Sequence, residues 1–242
     1  MAILIGIHPV KEALSAGRSL DRVLIAKGAG GPRLQEIVDL CRKNKVTLRF
    51  ETREAIDRSA GLNARHQGVV AFGAEKEYQQ IDEVVGQDLI VVLDGVEDPH
   101  NLGAVLRTAS AVGAGAVVIP ERRAVGLTET VAKAAAGALE HIPIVRVTNI
   151  AQAVEKFKKS GFWIYGLDER GTVSYDKAEF AEKSVIVLGA EGHGLHDNIR
   201  KACDFLLNIP MSGPIPSLNV SVAAGIVLFD WKRQRNNLQK QS

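Results

Sequence analysis

From residue 89 to the end, short apolar runs alternate with longer segments of mixed pattern. Leu89-Ile-Val-Val-Leu93, Gly115–Ile119, Ile142–Arg146, Phe162–Leu167 and Val185–Leu188 carry almost no polar residue. Such runs predict strands covered on both faces, as in a parallel sheet with helices on either side. Between them the pattern predicts helices starting near Asn101, over Thr130–Ala138, and from Ile150 to about Ser160. Loops that follow parallel strands gather at one edge of the sheet, where open α/β sheets bind ligands.

Residues 1–75 read as a separate, smaller α/β unit. A helix starts at Gly6-Ile-His-Pro-Val-Lys-Glu-Ala-Leu14, with Pro9 tolerated in its first turn. Arg22–Ala26, Val46–Phe50 and Gly68–Phe72 are predicted strands. Pro32 opens a helix to about Asn44, which places Leu34, Ile37, Val38 and Cys41 on one stripe. Thr52-Arg-Glu-Ala starts a shorter one. Asn63-Ala-Arg-His-Gln-Gly68 is a polar turn whose Arg65 and His66 are as consistent with phosphate contact as with a solvated loop. The polar stretch 76–86 has no clear period and reads as a linker, so the larger domain is expected over 87–242.

One stretch combines both habits of the chain. Ile209-Pro-Met-Ser-Gly-Pro-Ile-Pro216 is a stiff loop, because proline fixes φ and removes a donor. Ser217 reads as the N-cap of a helix over Leu218–Leu228 that is apolar on every side and therefore expected to be buried. Ser217, Asn219 and Ser221 place polar groups at its start. They fit either a ligand pocket or satisfied caps.

Composition narrows the class. The chain has 242 residues, 46% hydrophobic and 24% charged, as in an ordinary globular protein. Its longest apolar run is too interrupted to span a bilayer, and no secretory leader pattern is seen. Cys41 and Cys203 stand far apart and in no metal-ligand spacing, which points to a reduced, cytoplasmic protein. Residues 1–75 hold 12 Lys+Arg against 8 Asp+Glu, a surplus of +4, while the remainder holds 18 against 20, or −2. A basic front end on a near-neutral body fits a polyanionic partner.

The candidate chemistries are few. Gly189-Ala-Glu-Gly-His-Gly194 is glycine-rich after a strand but lacks the spacing of a dinucleotide fingerprint. The phosphate-binding G-x-x-x-x-G-K-[ST] pattern does not occur. Glu191, His193, His196 and Asp197 do not have the spacing of a zinc helix, so no metal is expected. None of Ser110, Ser212, Ser217 or Ser221 sits in a G-x-S-x-G nucleophile elbow.

Three segments together resemble a known family. Asn101-Leu-Gly-Ala-Val-Leu-Arg107, Leu188-Gly-Ala-Glu-Gly192 and Ile209-Pro-Met with Ser217-Leu-Asn-Val-Ser221 resemble the three ordered motifs of the SpoU (TrmH-type) branch of the SPOUT RNA methyltransferases. The likeness covers about residues 87–235. Gly6-Ile-His-Pro-Val and His66-Gln-Gly-Val-Val70 are similar to the substrate-binding domain of members that methylate large-subunit ribosomal RNA. The resemblance implies a parallel-sheet methyltransferase domain with a C-terminal trefoil knot, preceded by a small RNA-binding domain. It implies S-adenosylmethionine as cofactor, held by Leu188, Gly189, Ile209, Met211 and Leu218. It implies a homodimer whose catalytic site is completed across the interface. It assigns catalysis to Asn101, Arg107, Glu191, Ser217 and Asn219, and the reaction to 2′-O-methylation of a guanosine ribose in ribosomal RNA. Transfer RNA as substrate, and a non-catalytic RNA-binding or assembly factor on the same fold, are the alternatives.

Overall fold

The structure, a computed structural model, describes residues 2–61, 64–122, 124–190, 194–214 and 217–239. They form two compact units. One comprises Met1–Glu77 together with Leu127–His141; the other comprises Tyr78–Gly126 and Ile142–Ser242.

The first unit holds a four-stranded sheet: β1 (Ala2–Ile5), β2 (Leu20–Ala26), β3 (Thr47–Glu51) and β4 (Val69–Gly73), in the order β1-β4-β2-β3. β4 runs antiparallel to both neighbours, and β2 pairs with β3 in parallel. The helices α1 (Ile7–Ser15) and α2 (Pro32–Lys43) bury Val10, Leu14, Leu34, Ile37 and Cys41 against Val23, Ile25, Val69 and Ala71. On the other face α3 (Arg53–Ala60) packs Ile56 and Ala60 on Leu24, Ala26, Val70 and Phe72. β1 has no counterpart in the expected elements: it is too short to show a period.

The segment from the second half of the chain that joins this unit carries α5 (Glu129–Ala135), capped by Thr128. The helix expected to reach Ala138 stops at 135 because Ala136 and Gly137 turn to φ +48° and +90°. The turn seats Gly137 where a Cβ would lie 2.3 Å from Glu12 Cγ. Beside it Arg18 Nη1 and Glu140 Oε1 form a largely buried ion pair at 2.6 Å.

The second unit is a seven-stranded parallel sheet. Its strands are β5 (Leu89–Asp94), β6 (Ala116–Pro120), β7 (Ile144–Val147), β8 (Trp163–Leu167), β9 (Val173–Ser174), β10 (Ser184–Gly189) and β11 (Phe205–Asn208). They are ordered β7-β6-β5-β10-β8-β11-β9, and every pair is parallel. The chain moves outward from β5 through β6 to β7, then returns to build the other half, so the order reverses beside β5 and β10. That reversal opens a crevice at the carboxyl ends of the strands. α6 (Ile150–Lys159) and α7 (Asp197–Ala202) cover one face through Ile150, Val154, Phe157 and Ile199. α4 (Pro99–Val112) and α8 (Val220–Gln239) pack on each other, and α8 also contacts β10. The polar stretch 76–86 is structured: Gln79 bridges Val145, residues 81–83 form a 3-10 turn, and Val84 is buried in the core beside Ile90.

Two expectations about α8 are corrected. Ser217 is not its cap. The helix starts at Val220, and Asn219 Oδ1 accepts from Ser221 N at 2.9 Å and Ser221 Oγ at 2.6 Å. Nor is the helix buried all round. Val220, Ala224, Val227, Leu228 and Trp231 face the core, whereas Val222 and Phe229 are 51% and 54% exposed. An all-apolar sequence marks what a helix can bury, not what one chain alone covers.

Candidate active site

The loops at the carboxyl ends of β8, β10 and β11 and the start of α8 enclose a cavity of about 570 Å³. Its walls are Leu167, Asp168 and Glu169 after β8, Leu188, Gly189, Ala190 and Gly194 around β10, and Ile209 and Met211 after β11. Ser217, Leu218, Asn219, Val220 and Ala223 complete them. All five residues expected to hold a cofactor, Leu188, Gly189, Ile209, Met211 and Leu218, lie in this one cavity, together with Ser217 and Asn219. A volume of this order suits a nucleoside-sized ligand.

A second cavity of about 430 Å³ adjoins it, lined by Gly95, Val96, Glu97, Asp98, Asn101, Ala190 and Val220. Ala190 and Val220 belong to both walls. Asn101, buried on the first turn of α4, accepts a 3.0 Å hydrogen bond at Oδ1 from Asn219 Nδ2, so a bond between two site residues joins the cavities. α4 itself begins at Pro99, two residues ahead of the expected start. Asp98 caps it by accepting from His100 N at 2.7 Å, and proline suits a position whose N–H has no helical partner.

Gly189 has a structural reason to be glycine. A Cβ there would lie 2.2 Å from the carbonyl carbon of Gly194. Ala190 O in turn accepts from Gly194 N at 3.1 Å. The loop therefore folds back onto its own start, and the missing side chain is what allows the return. Beside it, Asp168 is buried at 3% exposure. It accepts two bonds from Arg170, Nε to Oδ1 at 2.8 Å and Nη2 to Oδ2 at 2.9 Å. The guanidinium holds its carboxyl down at about 2, against the opposing effect of burial.

Arg107 stands apart. It is exposed on α4 and lines neither cavity. Glu191 lies outside the described residues. In the first unit, His66 is not a surface phosphate contact. It is buried, Nε2 lies 2.7 Å from Asp57 Oδ1, and Nδ1 accepts from Gly68 N at 3.0 Å. Arg65, Lys27 and Arg33 are exposed. Among the described residues no cluster of His, Cys, Asp and Glu could hold a metal, and no helix is long and apolar enough to cross a membrane.

A family model described as the SpoU rRNA Methylase family matches residues 88–229, and one described as RNA 2′-O ribose methyltransferase substrate binding matches residues 3–79. The chain belongs to the SpoU rRNA methylase family. It is an RNA methyltransferase of the SpoU/TrmH type. A relative in Staphylococcus saprophyticus, named for the TrmH family of tRNA/rRNA methyltransferases, is 41% identical over 97% of this chain and 96% of its own. The fold is similar to that of the SpoU methyltransferase AviRb from Streptomyces viridochromogenes, solved with AdoMet. There the TM-score is 0.83 and the identity 24%, over 96% of this chain and 89% of that one. It is also similar to a solved RNA 2′-O ribose methyltransferase, with a TM-score of 0.79 and 26% identity over 96% and 88%.

The sequence pattern did not mark Leu167, Asp168, Glu169, Ala190 and Gly194 individually as cavity residues. Ala190 and Gly194 sit inside the glycine-rich turn that follows β10. The Leu-Asp-Glu segment follows a predicted strand, and that position in a parallel sheet was the available signal.

Proposed function

We propose that this protein transfers a methyl group from S-adenosylmethionine to the 2′-hydroxyl of a guanosine ribose in large-subunit ribosomal RNA. The observation that carries the cofactor assignment is the single cavity lined by Leu188, Gly189, Ile209, Met211 and Leu218. Its residues fit the ligand. Leu167, Leu188, Ile209, Leu218 and Ala223 offer an apolar slot for an adenine ring, and the glycines leave backbone groups accessible. Glu169 supplies a carboxylate for a cationic donor. When bound, the cofactor supplies a methyl group on a sulfonium, already a good electrophile.

The protein's task is then to orient and polarise a poor nucleophile. The adjoining cavity at Gly95–Asp98, Asn101 and Val220 is the place for the acceptor ribose, and the Asn101–Asn219 pair fixes the wall between the two. Asn219 stands at the junction through that bond, and Ser217 lines the first cavity. Arg107, whose guanidinium stays charged, binds the phosphate next to the ribose and polarises the hydroxyl. Glu191 holds Arg107 or accepts the proton.

Arg107 is exposed and outside both cavities, and Val222 and Phe229 present an apolar face on the helix that packs beside it. Both features support a homodimer in which a second copy covers α8 and Arg107 serves a shared site. The same reading includes the knotted C-terminal threading, a front domain that grips RNA, and a cytoplasmic setting. Cys41 and Cys203 as free thiols are consistent with the last.

Labelled S-adenosylmethionine, unmodified total RNA and the full-length protein test the proposal. Label is expected in one 2′-O-methylguanosine of the large-subunit RNA. Label in transfer RNA would move the substrate, and no transfer to any RNA would favour a binding factor.

A further inference from the structure

β10 lies between β5 and β8 in the sheet, and the loop that follows it walls both cavities. A buried carboxylate stands on each side of its start. Asp94 ends β5, directly opposite Gly189 in the strand register, and Asp168 follows β8. They meet the far end of the loop at consecutive residues. Asp94 Oδ2 accepts from His196 N at 2.9 Å and lies 2.9 Å from its Nδ1. Asp168 Oδ2 lies 3.4 Å from Leu195 N, its donor, and would be 3.1 Å from a Cβ on Gly194. Gly194, at φ +63°, is thus pressed between its own strand and this carboxylate. Arg170 holds Asp168 in place through two further bonds. Buried carboxylates are costly unless their acceptor sites are filled, so both are committed to the loop foot rather than spare.

We propose that Asp94 and Asp168 are positioning residues that clasp the foot of the 189–196 loop from both sides and so set the shape of the two cavities it walls. They do not touch the reacting atoms; they act through Gly189, Ala190 and Gly194. Asp168 lines the first cavity, and its loss loosens the wall that faces the cofactor. Asp94 leads into Gly95–Asp98 of the second, and its loss disturbs the acceptor side.

The test uses full-length Asp168→Asn and Asp94→Asn, with amide hydrogen exchange on the 189–200 segment as the first readout. That readout needs no cofactor, so it stands even if the functional reading fails. The second readout, methyl-transfer kinetics with S-adenosylmethionine and RNA, rests on that reading. In both variants loop amides are expected to exchange at least about tenfold faster while the strands keep their protection, the scale of one lost charge-assisted hydrogen bond. Asp168→Asn should raise cofactor KM about tenfold with kcat little changed, and Asp94→Asn should lower kcat with cofactor KM little changed. His196→Ala keeps the backbone amide and should leave the loop protected. Unchanged loop exchange in both carboxylate variants overturns the proposal. So does faster exchange throughout the sheet, which would make the pair ordinary core support. Should neither variant fold, Arg170→Gln decides: a smaller rise in loop exchange is expected, and none overturns the clasp.

Discussion

Two turns in this molecule look alike on paper. In the first unit a polar turn before β4 sets His66 against Asp57; in the second a glycine-rich turn after β10 sets His196 against Asp94. The first closes on itself. Both ring nitrogens of His66 are engaged, one by Asp57 and one next to Gly68 N, and the imidazole is buried. The second surrounds space, because three neighbouring parallel strands deliver their loops to one edge and the reversed strand order keeps those loops apart. The lesson is that residue type does not distinguish a structural histidine–carboxylate pair from one beside a site. Sheet direction does: an antiparallel neighbour takes the chain away from the edge, and a set of parallel strands returns every connection to it.

The strongest way to break this contrast is at Arg107, the one described catalytic candidate that the parallel edge does not gather. Arg107→Ala is expected to lower methyl transfer by about a hundredfold to a thousandfold, the cost of removing a charge-stabilising donor. Cofactor affinity measured by calorimetry should stay the same. A loss of binding as large as the loss of rate would place Arg107 in the pocket after all. Mixing it with inactive Asn219→Ala protein sharpens the point: activity regained on mixing would establish that the two residues come from different copies.

Next in size is the loop return. Gly189→Val puts a branched side chain where a Cβ alone meets Gly194 at 2.2 Å, and is expected to weaken cofactor binding about a hundredfold through loss of the wall. Gly213→Ala, with nothing within 4 Å of the added carbon, is the matched control and should bind normally. Equal behaviour of the two in calorimetry would mean the loop return does not shape the pocket.

The front unit is predicted to contribute grip rather than chemistry. A fragment starting at Tyr78 retains the Gln79 bridge and the buried Val84, so it should fold better than one starting at Leu89. Both leave Leu127–His141 without the unit it packs into. RNA binding by the Tyr78 fragment should be weaker and less salt-dependent, by about one counterion for each phosphate that the front unit neutralises. Lys27, Arg33 and Arg65 are the exposed candidates for that neutralisation. Identical salt slopes for fragment and whole chain would remove the front unit from RNA recognition.

Two smaller effects concern stability. Asn219→Ala removes the cap of α8 and the bond to Asn101, which should cost about 1 kcal/mol in denaturant unfolding. The pH dependence that Asp168 gives to stability should appear only in acid. Its carboxyl is held at about 2, below the ordinary 3.8, so it adds stability above 3.8 that is lost as pH falls toward 2. Arg170 is half exposed, so solvent screens the pair and the loss should not exceed about 1 kcal/mol. Asp168→Asn should flatten the unfolding curve in that window and nowhere else.

The sequence by itself determined the strands of both sheets except β1, β11 and the two-residue β9; for β4, β5, β6 and β10 this is because burial on both faces leaves an apolar run that no surface element shows. It also pointed to loops 188–194 and 209–218 as the ligand site, since glycine and proline announce where backbone must bend or stiffen, and Leu188, Gly189, Ala190, Gly194, Ile209, Met211, Ser217 and Leu218 of them line the cavity. What it left open were relations between distant residues. The cap of α8 moved from Ser217 to Asn219 because Asn219 also reaches Asn101, a partner 118 positions away. The Leu127–His141 segment joined the front unit because Glu140 and Gly137 find Arg18 and Glu12 there. Asp94 and Asp168 became neighbours of one loop only when β10 was inserted between β5 and β8. Local pattern encodes what each segment can bury or bend; which groups meet depends on strand order, and that is settled only when the whole sheet closes around its core.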